Sequence, residues 1–175
     1  MRTIVLAITL GLFSFASARA EDFGSTTIDL GMVVGNLEKS ADFYTKVVGF
    51  KEVDGFEVPG DFAKEAGLTD GTALKVRVFV LGEGKTATKL KLMELPATKP
   101  APADSATIHS RLGFRYLTIM VTDTTTALER LEKNGIKTVS KGGAVELPKP
   151  FPSGVFLTVF RDPDGNLIEF VGPKK

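Results

Sequence analysis

An order of elements that occurs twice constrains this chain more than any single motif. Ile28-Asp-Leu-Gly-Met-Val-Val34 alternates: Ile28, Leu30, Met32 and Val34 share one face, and Asp29, Gly31 and Val33 the other. That is the pattern of a strand with one face on a core. Asn36 can cap a helix over residues 37–48, where Leu37, Ala41, Tyr44 and Val48 recur at helical spacing before Gly49 stops it. Strands are expected at 50–54, 74–81 and 89–95, with Gly82-Glu-Gly84 as a turn. The second half repeats the order. A strand at 114–121 leads to a helix at 124–134, capped by Asp123 and ended by Gly135, and then to strands at 136–140, 155–161 and 166–171. Asn36 and Asp123 stand 87 residues apart, and so do Asp29 and Tyr116. A supersecondary unit that recurs whole predicts an α+β fold of two βαβββ units. In each, a curled sheet has one apolar face covered by its helix. Side by side, the two units enclose a cleft on their opposite faces.

The units are placed at 27–96 and 113–173, with 97–112 as linker, in a single domain over 21–175. Pro and Ala dominate the start of the linker, and the single His, His109, sits there as an exposed loop residue. Two long excursions interrupt the repeat. Residues 55–72 carry Phe56, Phe62 and a short helix near 61–67; residues 141–153 carry Gly142-Gly143 and Pro148, Pro150 and Pro152. Ahead of the repeat, Arg2 precedes an apolar run from Ile4 to Phe15, and Ala18-Arg19-Ala20 follows. The run is shorter than the ~20 residues a membrane span needs. It reads as a signal peptide over 1–20 cut before Glu21, which predicts a periplasmic or secreted protein with no membrane attachment after cleavage.

Composition removes several functions. There is no Cys, which excludes disulfides, thiolate metal sites and Cys nucleophiles, and one His excludes a site built from several imidazoles. Lys and Arg number 22 against 21 Asp and Glu, so no charge excess points to nucleic acid.

Val34-Gly-Asn-Leu-Glu-Lys-Ser-Ala-Asp-Phe-Tyr44, followed by Gly49-Phe50, and Asp162-Pro-Asp-Gly-Asn-Leu-Ile-Glu-Phe170 resemble the first half and the last hairpin of vicinal oxygen chelate (glyoxalase/bleomycin-resistance/dioxygenase) domains. The resemblance covers residues 27–173. It implies an open, curled mixed sheet. It also implies that the family's metal-ligand positions, on the first and last strand of each unit, fall on Asp29, Lys91, Tyr116 and Glu169. Strand alternation agrees for two of them: Leu90 and Leu92 flank Lys91, and Ile168 and Phe170 flank Glu169, so both charged residues face the cleft. Only Glu169 is a usual ligand of the family. The ammonium of Lys91 has no lone pair and repels a cation. The expectation is therefore no metal and no cofactor, with Lys91 ion-paired to Glu169, Asp29 or both. The same resemblance implies a cleft wall on the third strand of each unit. Arg77 is then a candidate anion contact, and Phe79, Phe156, Thr158 and Phe160 line the wall. Thr118, on the Tyr116 face, completes the expected ligand-contacting set.

Two functions from different classes follow. One is a metal-free binding module for a small organic molecule outside the cytoplasm. The other is an enzyme of the family, an isomerase, lyase or dioxygenase with an altered metal site, or a metal-free acid/base catalyst. In that last case Glu169 is the base and Tyr116 or Lys91 the acid. An interaction domain with a filled cleft is a third. The ligand stays open. So do a homodimer and the pairing of units within or between chains.

Overall fold

The structure is a computed structural model that describes residues 27–95, 106–110 and 112–175. The expected signal peptide, its cleavage site and most of the linker lie outside the described residues.

Two four-stranded sheets form, one per unit. The first holds β1 (Asp29–Val33), β2 (Lys51–Val58), β3 (Leu74–Leu81) and β4 (Thr88–Met93) in the order β1-β4-β3-β2. The second holds β5 (Tyr116–Met120), β6 (Val145–Glu146), β7 (Val155–Arg161) and β8 (Leu167–Pro173) in the order β5-β8-β7-β6. In both sheets the first strand runs parallel to the last, and the remaining pairs are antiparallel. This is the α+β architecture of two βαβββ units that the repeat predicts.

The main helix of each unit starts where its capping side chain sits. Asn36 accepts from the Lys39 amide at 2.8 Å and starts α1 (Leu37–Asp42). Asp123 accepts from the Thr125 amide at 2.9 Å and starts α3 (Thr124–Lys133). The helix of the first unit does not stay α-helical. It widens into a π-helical stretch, Phe43–Val48, whose Phe43, Tyr44, Val47 and Val48 are all buried, and Gly49 ends it at φ 100°. A short α2 (Gly60–Glu65) fills part of the first excursion.

One expected strand is mostly absent. Residues 136–140 give only a bridge from Thr138 to Phe160, and the outer strand of the second sheet is the two-residue β6. The reason is local. The Ser140 hydroxyl oxygen accepts from the Val159 amide at 2.8 Å, taking the place of a ladder partner, and Gly142 and Gly143 at positive φ then turn the chain away. Conversely β2 runs further than expected, through a bulge between Val53 and Phe56. A side chain on Gly55 would strike the Val76 carbonyl.

The units pair within the chain. One core joins Tyr44, Val47, Phe79, Leu90 and Leu92 of the first unit to Ile119, Leu131, Phe160, Ile168 and Phe170 of the second. Phe43 meets Phe160 across the junction with ring centroids 6.2 Å apart. A polar latch closes the same joint. The Tyr44 hydroxyl donates to Asp162 at 2.9 Å, and the Gly35 amide donates to Asp164 at 3.0 Å. The Asp162-Pro-Asp-Gly turn is thus an anchor for the opposite unit as well as a hairpin turn.

Candidate functional site

Cross-strand register sets which residues share a face, because residues directly opposite one another project to the same side. Leu90 lies opposite Phe79 and Leu92 opposite Arg77, whereas Lys91 lies opposite Val78 and beside Gly31. The face turned away from the helices, here the open face, therefore carries Asp29, Lys91, Val76 and Val78. In the second unit Glu169 lies beside Thr118 and opposite Val159, and Tyr116 shares that side. The structure places all four of Asp29, Lys91, Tyr116 and Glu169 on the open faces.

Asp29 and Lys91 form an ion pair at 2.9 Å, with about a third of each side chain exposed. The hydrogen bond from Lys91, with the charges of Lys91 and Lys89, holds the Asp29 carboxyl below its usual range. Lys91 also stands 6.0 Å from the centre of the Phe56 ring. Glu169 keeps separate company: the Thr118 hydroxyl donates to it at 2.7 Å. Of the two expected partners, Lys91 takes Asp29. The open face of the first unit adds an apolar wall of Leu74, Val76 and Val78, extended by Val58, Met93 and Leu95.

The four expected wall residues and Arg77 lie on the helix side instead. Phe79 is fully buried against Leu90, and Arg77 is held by Glu52 at 2.6 and 2.8 Å and by Glu38 of α1 at 2.8 Å. The Arg77 guanidinium is pushed up by its hydrogen bonds to these carboxylates, Glu52 above all, so it is a structural cation and not a free anion contact. Thr158 is fully buried opposite Phe170, and Phe156 lies opposite Gly172 with the Lys174 ammonium 5.7 Å from its ring centre. Phe160, also buried, belongs to the core. The physical reason is parity: these residues alternate with the open-face set, and the helix side of β3 carries Lys75 and Arg77, so by pattern alone it is the more polar of the two faces. The apolar cluster on the open-face side, the buried Val76 and Val78 with the exposed Phe56, needed the pairing with β4 and the β2 bulge to be located. His109 is exposed, within 3.3 Å of the Thr107 hydroxyl.

The donor chemistry does not fit a divalent metal. A stable site needs three or four oxygen or nitrogen lone pairs. One of the four positions is an ammonium, and that ammonium already engages Asp29. Among the described residues no three His, Cys, Asp or Glu side chains gather as a ligand set.

The Asp29–Lys91 pair is worth little to stability because solvent screens it. A double-mutant cycle of Asp29→Asn and Lys91→Met, read by urea denaturation, is expected to give a coupling below about 1 kcal/mol. The Asp29 carboxyl is depressed in the folded chain, so its contribution is present above its ordinary value and is lost as the pH falls through the folded one. The coupling should fade on acidification accordingly. A larger coupling of Lys91 to Glu169 than to Asp29 would contradict this pairing.

The likeness to known proteins follows the same lines. A glyoxalase family protein from Bacillus cereus superposes with a TM-score of 0.68 at 22% identity, covering 90% of this chain and all of that one. Lactoylglutathione lyase from Agrobacterium tumefaciens gives 0.52 at 18% identity, covering 86% and 96%. A glyoxalase I variant from Zea mays gives 0.60 at 17% identity, covering 85% of this chain and 45% of the other. At these identities the likeness shows the fold alone. No curated protein matches the chain. The sequence model of one superfamily matches residues 27–170, and with the paired βαβββ sheets it settles the assignment: the chain belongs to the glyoxalase/bleomycin resistance protein/dioxygenase superfamily.

Proposed function

We propose that this is an exported binding module whose open face takes a small organic molecule without a divalent metal. The observation that carries the reading is the Asp29–Lys91 ion pair, which puts a protonated amine where the fold's metal enzymes need a lone pair. On the same side of the first unit, the exposed Phe56 and Val53 offer apolar surface over the buried Val76 and Val78, and on the open face of the second unit Tyr116 and the Thr118–Glu169 pair offer polar groups that can orient a ligand. The apolar run and Ala18-Arg19-Ala20 support export.

Protein recovered from the producing cell is expected to start at Glu21 and to lack a stoichiometric transition metal by elemental analysis. In a thermal-shift and NMR screen of small aromatic and carboxylate compounds, binders should perturb Val78, Lys91, Thr118 and Glu169. About one equivalent of tightly held Zn, Ni, Mn or Fe per chain would overturn the metal-free reading. So would metal-dependent lactoylglutathione lyase activity.

A further inference from the structure

Arg130, near the end of α3, carries a charge with no anionic partner among the described residues. The face of its guanidinium lies 5.5 Å from the centre of the Phe170 ring, a cation–π contact. Its edge is unmet. Nε is sealed from solvent and has no hydrogen-bond partner, and Arg130 enters none of the ion pairs among the described residues. The N–H donors of a guanidinium lie in its plane, where a ring stacked on the face cannot accept from them. Stacking eases the burial of the charge and leaves the Nε donor unsatisfied, a condition folded proteins ordinarily avoid.

The same side chain lines a cavity of about 340 Å³. Val48 and Leu81 of the first unit and Ile119 and Ala127 of the second supply apolar lining. The cavity therefore sits at the junction of the units. Leu81 alternates with Val80 and shares the Phe79 side of β3, and Ile119 is a core residue, so this is the helix side, away from the open face. A guanidinium with an unfilled in-plane Nε donor and no ion-pair partner among the described residues, beside apolar walls, suits a planar anion with an apolar tail. Asp123 also lines the cavity. Its carboxylate accepts from the Thr125 amide at 2.9 Å, the Thr126 hydroxyl at 2.8 Å and the Lys175 amide at 3.2 Å. It remains a fixed negative charge, which weighs more against a doubly charged anion than a singly charged one.

We infer that this cavity binds a monocarboxylate with a short apolar chain. The carboxylate engages the edge of Arg130, and the chain lies against Val48, Leu81, Ile119 and Ala127. Bound there, the ligand bridges the two units, independently of anything held on the open face.

The test is an NMR titration of the isotope-labelled full chain with hexanoate, hexanamide and inorganic phosphate. Hexanoate should give saturable shifts at the amides of Val48, Leu81, Ile119 and Ala127. Hexanamide and phosphate should bind about tenfold more weakly, or worse. Arg130→Gln should erase the preference for hexanoate over hexanamide, and Arg130→Lys should restore only part of it, since an ammonium lacks the planar fork. Equal binding of hexanoate and hexanamide by the wild-type chain would overturn the inference, and that comparison needs no variant to fold. So would phosphate binding as tightly as hexanoate, hexanoate affinity unchanged by Arg130→Gln, or no saturable shift at those amides.

Discussion

Asp162→Ala should destabilise the protein by about 3–5 kcal/mol, a large share of the ~5–15 kcal/mol that holds an ordinary domain together. Asp162 is 6% exposed. Its carboxylate accepts from the Tyr44 hydroxyl at 2.9 Å, from the Asn166 amide and side chain at 2.8 and 2.9 Å, and from the Asp164 amide at 3.0 Å. Alanine satisfies none of them, and Tyr44 is fully buried, so its hydroxyl has no water to turn to. Burial also pushes the Tyr44 phenol up, with the Asp162 charge adding to it, so this hydroxyl stays a donor. Tyr44→Phe is the comparison. It removes one donor and leaves the other three satisfied, for a loss of about 1 kcal/mol. Urea denaturation of both variants checks the order. If Asp162→Ala costs no more than Tyr44→Phe, the joint between the units does not depend on this carboxylate.

Phe160→Ala should cost a similar amount, about 3–5 kcal/mol, by a different route. The Phe160 ring is fully buried, 4.7 Å from Phe170 in its own unit and 6.2 Å from Phe43 in the other. Truncation leaves a void that both units line. The loss should therefore lower the midpoint for the whole chain in one transition. Circular dichroism and tyrosine fluorescence should trace the same curve, since Tyr44 and Tyr116 report from different units. Two separated transitions would show that each half carries its own core.

The repeat made the fold legible. Caps at Asn36 and Asp123 and alternation in β1 and β5 are local signals, and local signals survive in a sequence. Lys91 and Glu169 could be placed because each sits between two large apolar residues, so only one face is open to a charge. Arg77 and Phe79 could not. Alternation along β3 sets an all-apolar face of Leu74, Val76, Val78 and Val80 against one with Lys75 and Arg77, which points the charged face outward; the carboxylates of Glu52 and Glu38 and the position of Phe79 opposite Leu90 reverse that. Phe156 and Thr158 lie on β7, which is largely apolar on both sides, so a count along that strand does not tell its faces apart. The strand expected over 136–140 is mostly lost because Ser140 replaces a backbone partner with its side chain, which hydrophobic patterning does not register. The choice of Asp29 over Glu169 by Lys91 and the reach of Tyr44 to Asp162, 118 residues away, are properties of folded distance, with no trace in spacing.

Gly31 beside Lys91 and Thr118 beside Glu169 occupy equivalent places in the two units, as Asp29 and Tyr116 do. The backbone plan is thus duplicated while the charge is inverted: an ammonium in one half stands where a carboxylate stands in the other. A molecule spanning both halves cannot be turned end for end without exchanging one for the other. A symmetric ligand would find its best partner with only one of its two ends, and an asymmetric one would have a single preferred direction. Divergence of the halves has turned a two-fold scaffold into one with a head and a tail.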